Sequence, residues 1–393
     1  MKISRVFDFF KILFCIKLNF NIPQGKKIIV FDGTSLNQLN HIIKNFDHFV
    51  LETRFQRLKE FYISKKIIFS TLKNIKMGFF NSYLLSLIDE INPKIILTFI
   101  DNSYKFSIFS KIKKNKYKFV AIQNGARYEH KIVNLLKKKK INVQLEKFSI
   151  PYFFCFGKNE INDYKKNNQN ISKFNIVGSL RLSNFLINQK NLEKIVVKKN
   201  NDILLISDVY CWDKILDKLN FPIEKGLINL IKLTIKFAKK NKLKIKIAAR
   251  NTLNNFEKER EFYKKNLNKD EYEYLLKNIF FRSDHFKTYK IMQRSKVVIG
   301  TMSTMLRENL SLKGKTFACN FTNTNIFDFP IKGLCFSDNS NYLNFEKQLQ
   351  KIYKIPLKKY HKQLSKKIEY VCQNKSHETI RLINKKLKSL IKK

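Results

Sequence analysis

Disulfide and metal frameworks are the first things missing from this chain. Its six cysteines, Cys15, Cys155, Cys211, Cys319, Cys335 and Cys372, form no C-x-x-C pair and no Cys/His cluster with metal-ligand spacing. That excludes a disulfide scaffold and a zinc module, and it implies free, mostly buried thiols in a reducing, cytoplasmic compartment. Long apolar runs are also absent: no window of about 18 uninterrupted apolar residues occurs, so no segment reads as a membrane span. Acidic residues are few, 31 against 78 Lys plus Arg, which leaves a net charge of +47. Such a charge invites a nucleic-acid reading, because clustered cations neutralise phosphates and release counterions. No aromatic RNP-like strand, GXXG loop or Cys/His finger accompanies it. Glycine (10) and proline (6) are scarce while Lys, Asn, Ile and Phe abound, the skew of A/T-rich codons, so no nucleic-acid partner is expected.

What is present is a globular chain of two domains. The 393 residues exceed one ordinary core, and 44% hydrophobic content excludes general disorder. The opening MKISRVFDFFKILFCIKLNF is interrupted by Asp8, Lys11 and Lys17 and has no small-residue cleavage site. It predicts an amphipathic helix that covers the first domain or rests on a membrane surface.

Short β-rich runs alternate with helical stretches. KIIVFDGT (27–34), HFVLETR (48–54), KIILTFIDNS (94–103), KFVAIQNGAR (118–127) and PYFFCFGKNEINDY (151–164) come first, and each ends in a polar or Gly-containing turn. Continuous apolar strands separated by helices predict a parallel sheet covered on both faces. Ligands bind beyond the carboxyl ends of such strands. Asp32, Glu52, Arg54, Asp101, Gln123 and Asn124 fall there. Each alone suits a turn or helix cap; together they predict a polar cleft. The polar stretch KKNNQN (165–170) marks the handover to a second lobe. That lobe repeats the pattern in NDILLISDVY (201–210), KLKIKIAAR (242–250), a short strand near 278–282 with a helix after Asp284, KVVIG (296–300) and KTFACNF (315–321). The expected fold is α/β: two Rossmann-like lobes, 1–170 on the acceptor side and 171–341 on the donor side, face a central cleft. A basic helical tail, 342–393, packs back on the lobes or on a membrane surface. From Lys351 onward that tail has fourteen Lys and Arg residues against Glu369 and Glu378, which suits anionic lipid.

In the second lobe VVIGTMSTMLREN (297–309) runs from a strand through Gly300 into a helix start. Unpaired amides and the positive end of the helix dipole make such a start an anion site, worth about 0.3–1 kcal/mol and up to about 2 kcal/mol when partly buried. Ser303 or Thr304 adds a hydroxyl, and a charge-assisted bond from Arg250 adds roughly 1.5–3 kcal/mol. The alternative makes Ser303 an N-cap alone, with Arg307 in the first turn and Glu308 in an ordinary surface pair.

With these residues assembled, the chain resembles bacterial surface-carbohydrate (surface polysaccharide) biosynthesis proteins, whose lobes look like those of GT-B glycosyltransferases and CDP-glycerol glycerophosphotransferases. VFDGT (30–34), LETR (51–54), TFIDNS (98–103), AIQNGAR (121–127), CFGKNE (155–160), IVGSLR (176–181) and VVIGTMSTMLREN carry the resemblance. It implies that Ser207, Arg250, Ser303, Thr304 and Glu308 lie at a donor nucleotide, with Glu52, Arg54, Gln123 and Asn124 on the acceptor side. Two departures stand out. Gln123, Asn124 and Gly125 replace a Gln-His-Gly turn, and Thr316 replaces the second of two glutamates eight apart. Asn cannot act as a base, so Asp32 and Asp101 are the catalytic candidates, followed by His130 and His285. The implied activity is transfer of a glycosyl or related group from a nucleotide-activated donor to a glycan or lipid-linked acceptor, with no metal and no further cofactor. The alternatives are a non-hydrolysing sugar-nucleotide epimerase and a non-catalytic scaffold of a glycan-assembly complex.

Overall fold

The computed structural model describes residues 16–138, 148–190, 199–209, 223–281, 286–373 and 378–392. Most of the expected N-terminal helix, Asp284, His285, Cys15 and Cys211 lie outside these residues, while the helix expected after Asp284 is present as Lys287–Gln293. The end of the expected N-terminal helix is instead a strand, β1 (Lys17–Asn19), which pairs in parallel with β4 (Glu60–Tyr62).

The first large sheet contains β2 (Ile28–Phe31), β3 (His48–Leu51), β5 (Ile95–Thr98), β6 (Lys118–Ile122), β7 (Ser149–Cys155) and β8 (Asn170–Ile176). All pairings are parallel, in the order β3-β2-β5-β6-β7-β8. The second contains β9 (Asn201–Ile206), β10 (Ile245–Ala248), β11 (Ile279–Phe280), β12 (Ser295–Gly300), β13 (Lys315–Cys319) and β14 (Phe336–Ser337). It too is wholly parallel, in the order β11-β10-β9-β12-β13-β14. The runs IIVF and IILT are buried at every residue, as a sheet covered on both faces requires. Ile29, Phe31 and Ile96 pack on one side of the first sheet and Ile28, Val30 and Leu97 on the other.

The expected two-lobe α/β plan is therefore present. Its internal boundary moves: KKNNQN does not end the first lobe, because β8 starts at Asn170 and completes the first sheet. The second sheet begins only at β9.

The tail ties the lobes together. Phe345, Leu349 and Ile352 of the helix Tyr342–Lys354 sit in the second-lobe core, as do Tyr360 and Leu364 of Leu357–Val371. The chain then crosses to the first lobe, where Gln373 N donates to Phe156 O at 2.9 Å. Two glycines permit the crossing. A Cβ on Gly157 would lie 2.4 Å from Tyr370 O, and one on Gly178, whose φ is +84°, would lie 2.1 Å from Gln373 O. The helix Glu378–Lys392 finally buries Ile380, Ile383 and Leu387 in the first-lobe core.

Candidate functional site

In each large sheet one neighbouring pair of strands marks where the order reverses, β2 and β5 in the first and β9 and β12 in the second. Connections leave such a point toward opposite faces, so a crevice opens beyond the carboxyl ends of the two strands. Asp32 and Asp101 lie beyond β2 and β5. Ser207, Asp208 and residues 301–304 lie beyond β9 and β12.

The second-lobe crevice holds an anion of its own. Thr301 N and Met302 N each donate to Asp208 Oδ2 at 3.0 Å. The amides expected to cradle a phosphate at this strand end are thus committed to a buried carboxylate. Ser303, half-buried, caps Met305 N at 3.4 Å. Thr304 Oγ1 accepts the Ala126 amide of the first lobe at 2.8 Å. Glu308 is buried and accepts from Ser179 Oγ at 2.5 Å and Tyr289 OH at 2.8 Å, so it braces the lobes rather than facing an open pocket. Arg307 forms a buried ion pair with Glu160 of the first lobe. Burial acts against the Arg307 charge, but Glu160 outweighs it and raises the guanidinium's pKa. Tyr128, Ile132 and Leu136 complete the contact between lobes by packing on Leu227, Met302 and Phe327.

Ser207 is likewise committed: its hydroxyl lies 2.5 Å from Tyr263 OH and donates to Glu259 Oε1 at 3.3 Å. Fully buried Glu259 also accepts Arg250 N, Asn251 N and Asn251 Nδ2 at 3.0–3.1 Å, fixing the end of β10. Within KERE, in a helix rich in charge, nothing in the sequence distinguishes it from a solvated glutamate. The Arg250 side chain is exposed at that strand end.

In the first lobe the two catalytic candidates are also spoken for. The Asp101 side chain is wholly buried, paired with Arg127 and accepting Asn124 N at 3.2 Å. Asn124 Oδ1 accepts from the same guanidinium. Gln123 donates to Gly125 O and accepts from Phe156 N, both at 2.9 Å. His130 is buried against Tyr164 with Nε2 2.9 Å from Asp163 Oδ2. These four hold the QNGAR turn and its helix.

Asp32 accepts Thr34 N at 2.9 Å, the Thr34 hydroxyl, Thr53 Oγ1 at 3.1 Å and Arg54 Nε at 3.0 Å. Burial pushes its pKa up, but Thr34 and Arg54 more than offset this and hold it below the ordinary value. A carboxylate so stabilised is a weak base.

Its neighbour Glu52 is in the opposite state. Burial first, and then the charge of Asp32, raise the Glu52 pKa, and its Oε1 is buried with no hydrogen-bond partner. Thr34 Oγ1 accepts Arg57 Nη1 at 2.7 Å, and Lys105 Nζ donates to Thr53 O at 2.7 Å. Burial lowers the Lys105 pKa, with Asp32 opposing. Two carboxyls, two guanidiniums and an ammonium thus share one strand-end cluster, in which the Asp32 pKa is lowered and the Glu52 pKa raised.

No family model matches the chain, and no curated protein matches its sequence. Solved structures do resemble it. The complex of S. aureus MnaA with UDP aligns over 94% of this chain and 98% of that one, with 14% identity and a TM-score of 0.56. The Methanocaldococcus jannaschii UDP-GlcNAc 2-epimerase with UDP-GlcNAc and UDP aligns over 95% and 100%, with 14% identity and a TM-score of 0.55. The wall teichoic acid polymerase TagF with CDPG aligns over 94% and 90%, with 11% identity and a TM-score of 0.49. At these identities the likeness is one of fold, the two-lobe GT-B-like plan over nearly the whole chain.

Proposed function

We propose that the chain is an enzyme acting on a nucleotide-activated sugar, and that it transfers the glycosyl or a related group to an acceptor hydroxyl in surface-polysaccharide synthesis. The nucleotide diphosphate sits beyond the second sheet, between the start of the helix Thr304–Ser311 and Arg250. The acceptor lies beyond the first sheet, where Glu52 takes the proton of the attacking hydroxyl as the bond to the leaving diphosphate breaks. Asp32 positions that cluster by holding Arg54 and Thr53 and by raising the basicity of Glu52.

Glu52 carries this reading. Among the first-lobe strand-end carboxyls it alone combines a raised pKa with an unpartnered buried oxygen, while Asp32 and Asp101 are saturated. Epimerisation, the second reading, is supported by the 2-epimerase fold of the neighbour. Inverting a carbon needs a proton removed from one face and returned on the other, hence two exchanging groups; transfer to a hydroxyl needs one base. Product analysis with a panel of nucleotide sugars separates the readings. A transferase releases nucleotide only when acceptor is present, an epimerase converts the donor without acceptor, and a scaffold does neither.

A further inference from the structure

Large apolar side chains are not exposed at random on this molecule. Of thirteen such residues among the described ones, five lie within residues 68–79: Ile68, Phe69, Leu72, Ile75 and Phe79. Phe69 is 71% exposed, Leu72 57% and Phe79 56%. They project from the helix Lys65–Lys73, whose buried residues are only Ile67 and Thr71, from the turn after it and from the start of the helix Phe79–Ile91. Lys65, Lys66, Lys73 and Lys76 are exposed among them, and no Asp or Glu occurs from Phe61 to Ile88. Of these lysines Lys66 reaches a carboxylate, Glu90, at 2.8 Å.

We propose that this face, residues 65–79, docks on an anionic lipid bilayer, with the apolar side chains entering the headgroup boundary and the lysines meeting its negative charge. An interfacial helix has this composition, apolar residues beside a basic polar face. A second copy of the chain fits poorly, since a two-fold contact would set lysines against lysines with no carboxylate to answer them. A protein partner also fits poorly, because lysine is depleted from the centres of protein interfaces. The last helix of the tail, Glu378–Lys392, basic as it is, has spent its apolar face: Ile380, Ile383 and Leu387 are in the first-lobe core. The docking face adjoins the Glu52 cluster, since the Phe80 ring touches Phe55 at 5.5 Å between centroids and lies under Lys105 Nζ at 4.9 Å.

The test is cosedimentation of the full chain with vesicles of phosphatidylcholine, with and without phosphatidylglycerol. Salt-sensitive binding to the anionic vesicles is expected. Phe69→Ser with Leu72→Ser should weaken it about tenfold or more, because two exposed side chains lose their apolar burial. Lys73→Glu with Lys76→Glu should weaken it and flatten its salt dependence, whereas Lys385→Glu with Lys388→Glu in the tail should change it less than about twofold. All the altered side chains are exposed, so an unchanged thermal midpoint should accompany each variant. The proposal is overturned if the wild type binds no vesicle or if the Phe69/Leu72 variant binds like wild type. It is equally overturned if only the tail variant loses binding, or if the Phe69/Leu72 variant instead abolishes a dimer seen by sedimentation velocity.

Discussion

Beyond β9 and β12 the second lobe closes its crevice with backbone amides on one carboxylate, Asp208, whereas beyond β2 and β3 the first lobe gathers five charged side chains around two hydroxyls. Backbone donors are fixed by the fold and do not titrate. They lie in a lobe that is braced against its neighbour through Thr304, Arg307 and Glu308. Side-chain clusters can divide charge unevenly, and here they do: Asp32 is held ionised and Glu52 is pushed toward its protonated form. The same sheet plan thus yields a strand end fixed by backbone donors in one lobe and a cluster of titratable side chains in the other.

The largest effect should come from breaking the brace. Arg307→Ala leaves Glu160 buried without its partner and should cost about 3–5 kcal/mol in denaturant unfolding. Replacing both with apolar residues of similar size should restore most of that, since a buried pair is weakly stabilising against a hydrophobic isostere. A loss below about 1 kcal/mol for Arg307→Ala would mean that the lobes do not depend on this pair.

Asp208→Ala tests the second-lobe crevice itself. It strands the amides of Thr301 and Met302 and should cost about 1–3 kcal/mol by the same measurement. If an added anion such as diphosphate then stabilises the variant more than the wild type, the amides of Thr301 and Met302 are an anion seat that Asp208 normally fills.

The subtlest test opposes the two first-lobe carboxyls by pH. The folded pKa of Asp32 is depressed, so its contribution to stability is present above the ordinary value of 3.8 and is lost as pH falls through the folded value. Asp32→Asn should therefore be most destabilising near neutral pH and converge with wild type in acid. The folded pKa of Glu52 is raised above its ordinary 4.5, so protonated Glu52 stabilises at low pH and that contribution is lost as pH rises through the folded value. Glu52→Gln should gain on wild type with rising pH. Parallel stability profiles for the two variants would erase the distinction between these groups.

Most of the longer strands were legible because they are apolar runs, many β-branched or aromatic, that end in a polar turn. β1, β4 and β14 were not, since strands of two or three residues carry no periodicity. Positions beyond the strand ends were legible as well, yet the roles at them were not. Asp32 reads from sequence as a base candidate and Glu52 as an acceptor-side residue, and neither motif announces that Thr34, Thr53 and Arg54 converge on Asp32. Glu160 and Arg307 are 147 residues apart, and no local pattern announces that one meets the other in a buried pair. The glycines of CFGKNE and IVGSLR read only as strand-ending turns, and in the fold they admit the crossing of the tail.

The most direct measurement is acceptor-dependent nucleotide release by Glu52→Gln beside wild type, at substrate levels that separate kcat from KM. A fall in kcat of about 10²- to 10⁴-fold with little change in donor KM, in a variant that unfolds no more readily than wild type at neutral pH, is the predicted result. Undiminished kcat in Glu52→Gln would contradict the assignment of proton transfer to the first lobe.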